Sequence, residues 1–293
     1  MSILIIGSTG TIGSHVVEEV AKRGYPVSAL VRGRNPVSAL LHGGKEKLPA
    51  GVTPVKGDVT DIDSMRQALT GIDTLFLLNP VLPDELTRAL LTLDLAMEAG
   101  IKRVVYFSMF KSDVFLDCPH ANAKFATEQM IHKFGIPATI LRPNYFFQND
   151  GGPVTKTHAY SFPIGNLGVS MVDARDIGEI AAAKLIERDT NGPLPTEVVE
   201  IHGPDIIAAD SAVATWTEVL GKPVTYAGDD LRQFEKTFAG MSTSMTAYDV
   251  AGMFRGFQRE GMVAPDGAVE ATAKLLGRPP RKYRAYAEET AAS

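Results

Sequence analysis

Three glycines, Gly7, Gly10 and Gly13, recur at intervals of three in Gly7-Ser8-Thr9-Gly10-Thr11-Ile12-Gly13. That spacing suits a pyrophosphate. The first glycine permits a sharp turn, the second clears the backbone's approach to phosphate, and the third lets a helix pack closely on a strand, whose amides and positive dipole end then face the anion. Thr9, Thr11 and Ile12 are expected nearest the phosphates. An acidic residue that would bond the adenosine ribose hydroxyls is missing, since none occurs between Glu19 and Glu46. Arg32 and Arg34 stand there instead, and a guanidinium fork matches a 2′-phosphate. NADP(H) is therefore the preferred cofactor, with NAD(H) possible. Asp58 and Val59 could hold and cover the adenine, although Asp58 could equally cap the following helix. Asn79-Pro80 falls where the nicotinamide ribose would run, although such a pair also makes an ordinary turn.

These residues need a frame, and hydrophobic periodicity supplies it. Ile3–Ile6 is a short apolar run ahead of the glycines, and helical spacing follows from Ser14 to Arg23, closed by Gly24. Further strands are expected at Val27–Val31, Val52–Val55, Thr74–Leu78, Arg103–Ser108 and Pro137–Leu141, with helices at Ile62–Leu69, Asp84–Ala99 and Ala121–Phe134. Runs apolar on both faces belong in a covered parallel sheet. The fold class is α/β: a Rossmann-type doubly wound parallel sheet with a smaller, mostly helical C-terminal lobe. Residues 1–150 are read as the NAD(P)-binding domain and 151–293 as a substrate or partner lobe. About 170–203 should pack back on the first domain through a helix near Asp176–Glu187 and a strand at Val198–Ile201. Helices near Ala209–Leu220, Leu231–Ala239, Thr246–Arg259 and Gly267–Leu276 complete the lobe.

Composition excludes several alternatives. With 293 residues, 45% hydrophobic and 22% charged, the chain is that of an ordinary folded protein. A net charge of -5 with dispersed basic residues argues against direct nucleic-acid binding. No apolar run approaches the ~18 residues of a membrane span, so no membrane partner is expected. The strand at Ser2 or Ile3 leaves no room for a signal peptide. The single cysteine, Cys118, excludes a disulfide framework and fits the cytoplasm. No acid and histidine flank it in an activating pattern, so it is read as a packing residue. No metal is expected, because the six histidines and the acids show no ligand spacing. A small-molecule substrate or a protein partner, and a monomer or homodimer, remain open.

Beyond the glycine turn, Gly57-Asp58, Ser108, Leu141-Arg142-Pro143-Asn144-Tyr145-Phe146 and Val172-Asp173-Ala174-Arg175-Asp176-Ile177-Gly178 resemble an atypical short-chain dehydrogenase/reductase. More narrowly the chain resembles the NmrA-like group, some members of which share the His-x3-Lys-x3-Glu pattern seen here at His120, Lys124 and Glu128. The resemblance places Pro143, Tyr145 and Phe146 beside the cofactor and makes Lys124, His120 and Ser108 the catalytic candidates. Classical short-chain dehydrogenases/reductases carry a Tyr four residues before the Lys, one helical turn away, where the ammonium lowers the phenol pKa. Here His120 occupies that position. One implied activity is an NADPH-dependent reductase of a small apolar carbonyl, enone or quinone, with Lys124 on the nicotinamide ribose and His120 or a water as proton source. The other is a non-catalytic NADP(H)-responsive redox sensor acting through protein partners. A sugar-nucleotide epimerase or dehydratase normally wants the absent Tyr. Phe110, Phe146, Phe147 and Phe162 could line an apolar pocket.

Overall fold

The structure, a computed structural model, describes residues 2–32 and 48–293. Arg34 lies outside them. The described residues of Met1–Ser108, Ala123–Leu141 and Ile177–Val199 form one compact unit, and Met109–Asn122, Arg142–Asp176 and Glu200–Ser293 form another.

Short apolar runs, lying wholly or for the most part in the first unit, become strands: β1 (Ile3–Ile5), β2 (Val27–Val31), β3 (Val52–Lys56), β4 (Thr74–Leu77), β5 (Arg103–Phe107), β6 (Ala138–Pro143) and, later in the chain, β9 (Glu197–Ile201). They lie in the order β3-β2-β1-β4-β5-β6-β9, with every pairing from β3 to β6 parallel. β1 and β4 are buried throughout, as a sheet covered on both faces requires. β3 is the edge strand, which is why it tolerates Pro54, a residue with no amide to give to a ladder. The crossovers are α1 (Thr11–Lys22), α2 (Ile62–Leu69), α3 (Glu85–Glu98), α4 (Pro119–Lys133) and α6 (Ala174–Asn191). Strand order reverses between β1 and β4, and such a switch point is where open α/β sheets place their ligands. The parallel Rossmann-type sheet expected from the sequence is present. At its far edge, buried Arg188 of α6 donates from Nε to Thr139 Oγ1 at 2.6 Å and from its two terminal nitrogens to the carbonyls of Leu194 and Pro195. That clamp fixes the approach to β9.

The second unit carries α5 (Gly151–Thr157), α7 (Ala209–Leu220), α8 (Leu231–Ala239), α9 (Ser244–Glu260), α10 (Ala268–Leu276) and α11 (Tyr283–Ala291). The short strands β7 (Ala159–Tyr160) and β8 (Val169–Ser170) pair with β11 (Thr225–Tyr226) and β10 (Ile206–Ile207). Its core is aromatic, with Trp216, Phe254, Phe257 and Tyr283 among the buried side chains. Neither α5 nor α11 is anticipated by the sequence reading. α11 is anchored by polar chemistry: Tyr283 and Tyr160 both donate to Asp150 Oδ2, at 2.8 and 2.9 Å, and Trp216 Nε1 donates to the Tyr283 hydroxyl. Asp150 is fully buried and its Oδ1 has no partner among the described residues. Burial outweighs the two phenol hydrogen bonds and pushes its pKa up to about 7.

Candidate functional site

Gly7 turns at φ 78°, a left-handed conformation that favours glycine. A Cβ on Gly13 would stand 2.0 Å from the Gly7 carbonyl oxygen, so α1 reaches its place against the turn only without one. Gly10 is different, because among the described residues a Cβ there would meet only the Gly7 carbonyl, at 3.4 Å. Protein packing therefore leaves the space over Gly10 open, as a closely approaching phosphate requires. α1 has no side-chain cap, whereas α2 is capped by Asp61, whose Oδ1 accepts from the Ser64 amide. The first amides of α1 are left for another acceptor. Thr11 is exposed and Thr9 half-buried, while the Ile12 side chain points into the core, so Ile12 can offer only its backbone. The sequence reading passes over Ser8, whose hydroxyl donates to the Leu30 carbonyl at 2.7 Å and ties the turn to β2.

Arg32 follows β2 directly and is exposed. Asp58 follows β3, and its Oδ1 accepts from both the amide and the hydroxyl of Thr60. These bonds lower its pKa, with Arg32 and Arg88 adding to the effect. The alternative reading of Asp58 as the α2 cap does not hold: Asp61 supplies that cap, standing three residues before the Ser64 amide it receives. Val59 packs half-buried against the sheet core, and Pro80 is exposed.

Asn79 follows β4 at the switch point. It is buried, and neither its Oδ1 nor its Nδ2 has a partner among the described residues. An unsatisfied buried amide costs ~1–3 kcal/mol per group, so such a side chain points to a ligand that completes it. Six residues on, Glu85 opens α3, and its Oε1 accepts from Lys124 Nζ at 2.7 Å while its Oε2 is unpartnered among the described residues. Lys124 also reaches the Phe107 carbonyl at 3.5 Å and lies 5.8 Å from the Phe107 ring centroid. Ser108 follows β5 and donates its hydroxyl to Glu128. With that proton committed, the Ser108 oxygen is available only as an acceptor. The glycine turn, Asp58, Asn79 and Ser108 all lie just past the carboxyl ends of parallel strands. The open space over Gly10, the uncapped helix start and the orphaned Asn79 amide fit a dinucleotide. Glu85 is missed by the sequence reading, because an acid in a helix's first turn reads as a partner for the dipole.

The sequence profile of the NmrA-like family matches residues 1–286. The chain belongs to the NmrA-like family. It is 26% identical to an NAD(P)H azoreductase of Xenophilus azovorans, over 99% of this chain and 98% of that one. Its fold is similar to the NADPH complex of the Escherichia coli quinone oxidoreductase QOR2, with TM-score 0.80 and 22% identity over 100% and 99% of the two chains. It is also similar to NmrA, a negative transcriptional regulator, with TM-score 0.73 and 18% identity over 98% and 94%. No helix among the described residues is long and apolar enough to cross a membrane.

Pro143, Asn144, Tyr145 and Phe146 of the NmrA-like motifs lie in the second unit. Pro143 is buried and its carbonyl accepts from the Phe110 amide. Tyr145 is buried against Phe254 and Phe257 and stacks on half-buried Phe146, and burial raises its pKa well above the ordinary phenol value. Asn144 acts as a staple, donating from Nδ2 to the Met262 carbonyl at 2.7 Å. Phe147 is wholly buried between Tyr283 and Tyr286, so it belongs to the core.

One reading of the sequence is overturned in this unit. Cys118 does have a histidine and an acid beside it: Sγ stands 3.4 Å from His120 Nδ1 and 3.5 Å from Asp249 Oδ1. The acid comes from α9, 131 residues further along the chain, beyond the reach of local spacing rules. His120 Nδ1 and Asp249 Oδ1 are 2.8 Å apart. Burial favours a neutral imidazole, but the bonds to Asp249 and Cys118 outweigh it and hold the His120 pKa up at about 10.

Proposed function

We propose that the protein is an NADPH-dependent reductase of a small apolar carbonyl, enone or quinone. The orphaned amide of Asn79 at the switch point carries this reading, since it is a buried polar group with no partner among the described residues. The uncapped start of α1 and the space over Gly10 support a pyrophosphate there, with Thr9 and Thr11 beside it. Arg32 at the end of β2, and the absence of an acid from the sequence around it, support the 2′-phosphate; Arg34 adds a second guanidinium in the sequence. The bound nicotinamide supplies the hydride. Glu85 holds Lys124 Nζ at 2.7 Å, from where the ammonium would donate to the ribose hydroxyls of the bound cofactor and polarise the acceptor. Ser108 accepts a hydrogen bond. A water delivers the proton. The similarity to an NAD(P)H azoreductase and to an NADPH-dependent quinone oxidoreductase supports this class of acceptor.

A second reading is a redox sensor that binds NADP(H) without turnover. It is favoured by the bond that commits the Ser108 hydroxyl proton to Glu128, at a position where a reductase uses a donor. Anaerobic NADPH oxidation against a panel of quinones, enones and aldehydes separates the two. The reductase reading expects turnover that falls about 100-fold in Lys124→Met while NADPH still binds. NADPH binding with no acceptor reduced at saturating protein favours the sensor, and failure to bind NADPH rejects both.

A further inference from the structure

The second unit gathers three side chains of different ligand chemistry outside the cofactor cradle. Cys118 stands just before α4, His120 lies in its first turn, and Asp249 comes from α9. All three are buried, with exposures of 0%, 5% and 6%. Sγ, Nδ1 and Oδ1 form a triangle with sides of 3.4, 3.5 and 2.8 Å. We propose that Cys118, His120 and Asp249 bind a divalent cation of the zinc class, which ties the start of α4 to α9.

Zinc takes thiolate sulfur at about 2.3 Å and nitrogen or oxygen at about 2.0–2.1 Å, so the edges of a tetrahedron around it measure about 3.3–3.6 Å. The two edges that include sulfur already have that length. Only the Nδ1–Oδ1 edge must open, by roughly half an ångström, as an ion replaces the hydrogen bond. A set of thiolate, imidazole and carboxylate selects a borderline-soft ion, whereas calcium and magnesium take oxygen ligands. The carboxylate is held in place by its own second partner, the His120 backbone amide, which donates to Oδ1 at 3.0 Å. The thiolate and carboxylate together carry the two negative charges that balance the ion. On binding, the thiol and imidazole protons pass to solvent. Three protein ligands leave a fourth position for water. The site lies wholly within the second unit and stands or falls independently of the reductase reading.

Cobalt is the probe, because tetrahedral Co2+ replaces zinc and reports its ligands by absorption. The untagged full chain, stripped with chelator and then titrated with Co2+, should develop visible d–d bands and a near-ultraviolet thiolate-to-cobalt charge-transfer band that saturate at one ion per chain. Zn2+ should abolish both. Cys118 is the only cysteine, so a thiolate band in the wild type identifies it even if a variant fails to fold. Cys118→Ser should lose the band, and Asp249→Asn should weaken Co2+ binding by about tenfold or more. A folded wild type with no charge-transfer band overturns the proposal. So does a wild type that binds no Co2+ while both variants melt at lower temperature, since the three residues are then a hydrogen-bonded staple only.

Discussion

Lys124 Nζ lies 2.7 Å from Glu85 Oε1, and both side chains are buried. Lys124, which the family resemblance puts beside the nicotinamide ribose, is thus one half of an enclosed ion pair. Breaking such a pair from one side leaves an uncompensated charge, which costs about 3–5 kcal/mol, whereas removing both charges is far less damaging. Lys124→Met should therefore lower stability by that amount in urea unfolding, and Lys124→Met/Glu85→Gln should recover most of it. The double variant then serves as the stable background in which to read the catalytic loss.

Gly10 and Gly13 should separate binding from folding. Gly13→Ala puts a methyl 2.0 Å from the Gly7 carbonyl oxygen and should cost at least ~2 kcal/mol in denaturant unfolding. Gly10→Ala meets only a 3.4 Å contact, at a φ of -80° that alanine adopts freely. Its melting temperature should stay within a few degrees of wild type, while NADPH affinity by fluorescence titration falls at least about tenfold. Equal affinity in Gly10→Ala and wild type would place the pyrophosphate elsewhere.

Arg32→Ala should weaken NADPH binding by about tenfold or more, the worth of a charge-assisted contact to phosphate, and leave NADH binding nearly unchanged. Calorimetric titration with both nucleotides checks this. An equal loss for both would deny Arg32 the 2′-phosphate.

Asp150 should give stability a pH dependence of unusual sign for a carboxylate. Its folded pKa of about 7 lies above the ordinary value, so its contribution is fully present below about pH 4 and is lost as pH rises towards and through 7. Asp150→Asn keeps the acceptor for Tyr160 and Tyr283 but cannot ionise. The stability difference between variant and wild type should therefore grow in the variant's favour from pH 4 to pH 8, by on the order of 3 kcal/mol. A difference flat across that range would mean that the carboxyl titrates normally.

The sheet is legible in the sequence because its strands are dense apolar runs between turn residues, and β2 falls on Val27–Val31 as expected. The glycine turn is legible because each of its constraints is local. Glu85 and Asp249 are not, since an acid in an amphipathic helix looks the same whether it faces water or a buried cation, and only tertiary contact decides. α11 escapes for a related reason. Tyr283, Tyr286 and Ala287 fall at helical spacing, but one apolar turn among Arg, Glu and Thr cannot be told from a polar tail. Its order comes from Asp150, 133 residues away.

That tie bears on incomplete copies of the chain. A product that stops before Tyr283 would lack the hydroxyl that bonds Asp150 at 2.8 Å and would leave Phe147 without two of its aromatic neighbours. A half-satisfied carboxylate and an uncovered ring in the core are the defects that cellular proteases detect, through a raised population of open states. The C-terminal helix is thereby a condition of the core's integrity, and a chain cut before Tyr283 is expected to be cleared faster than the full one.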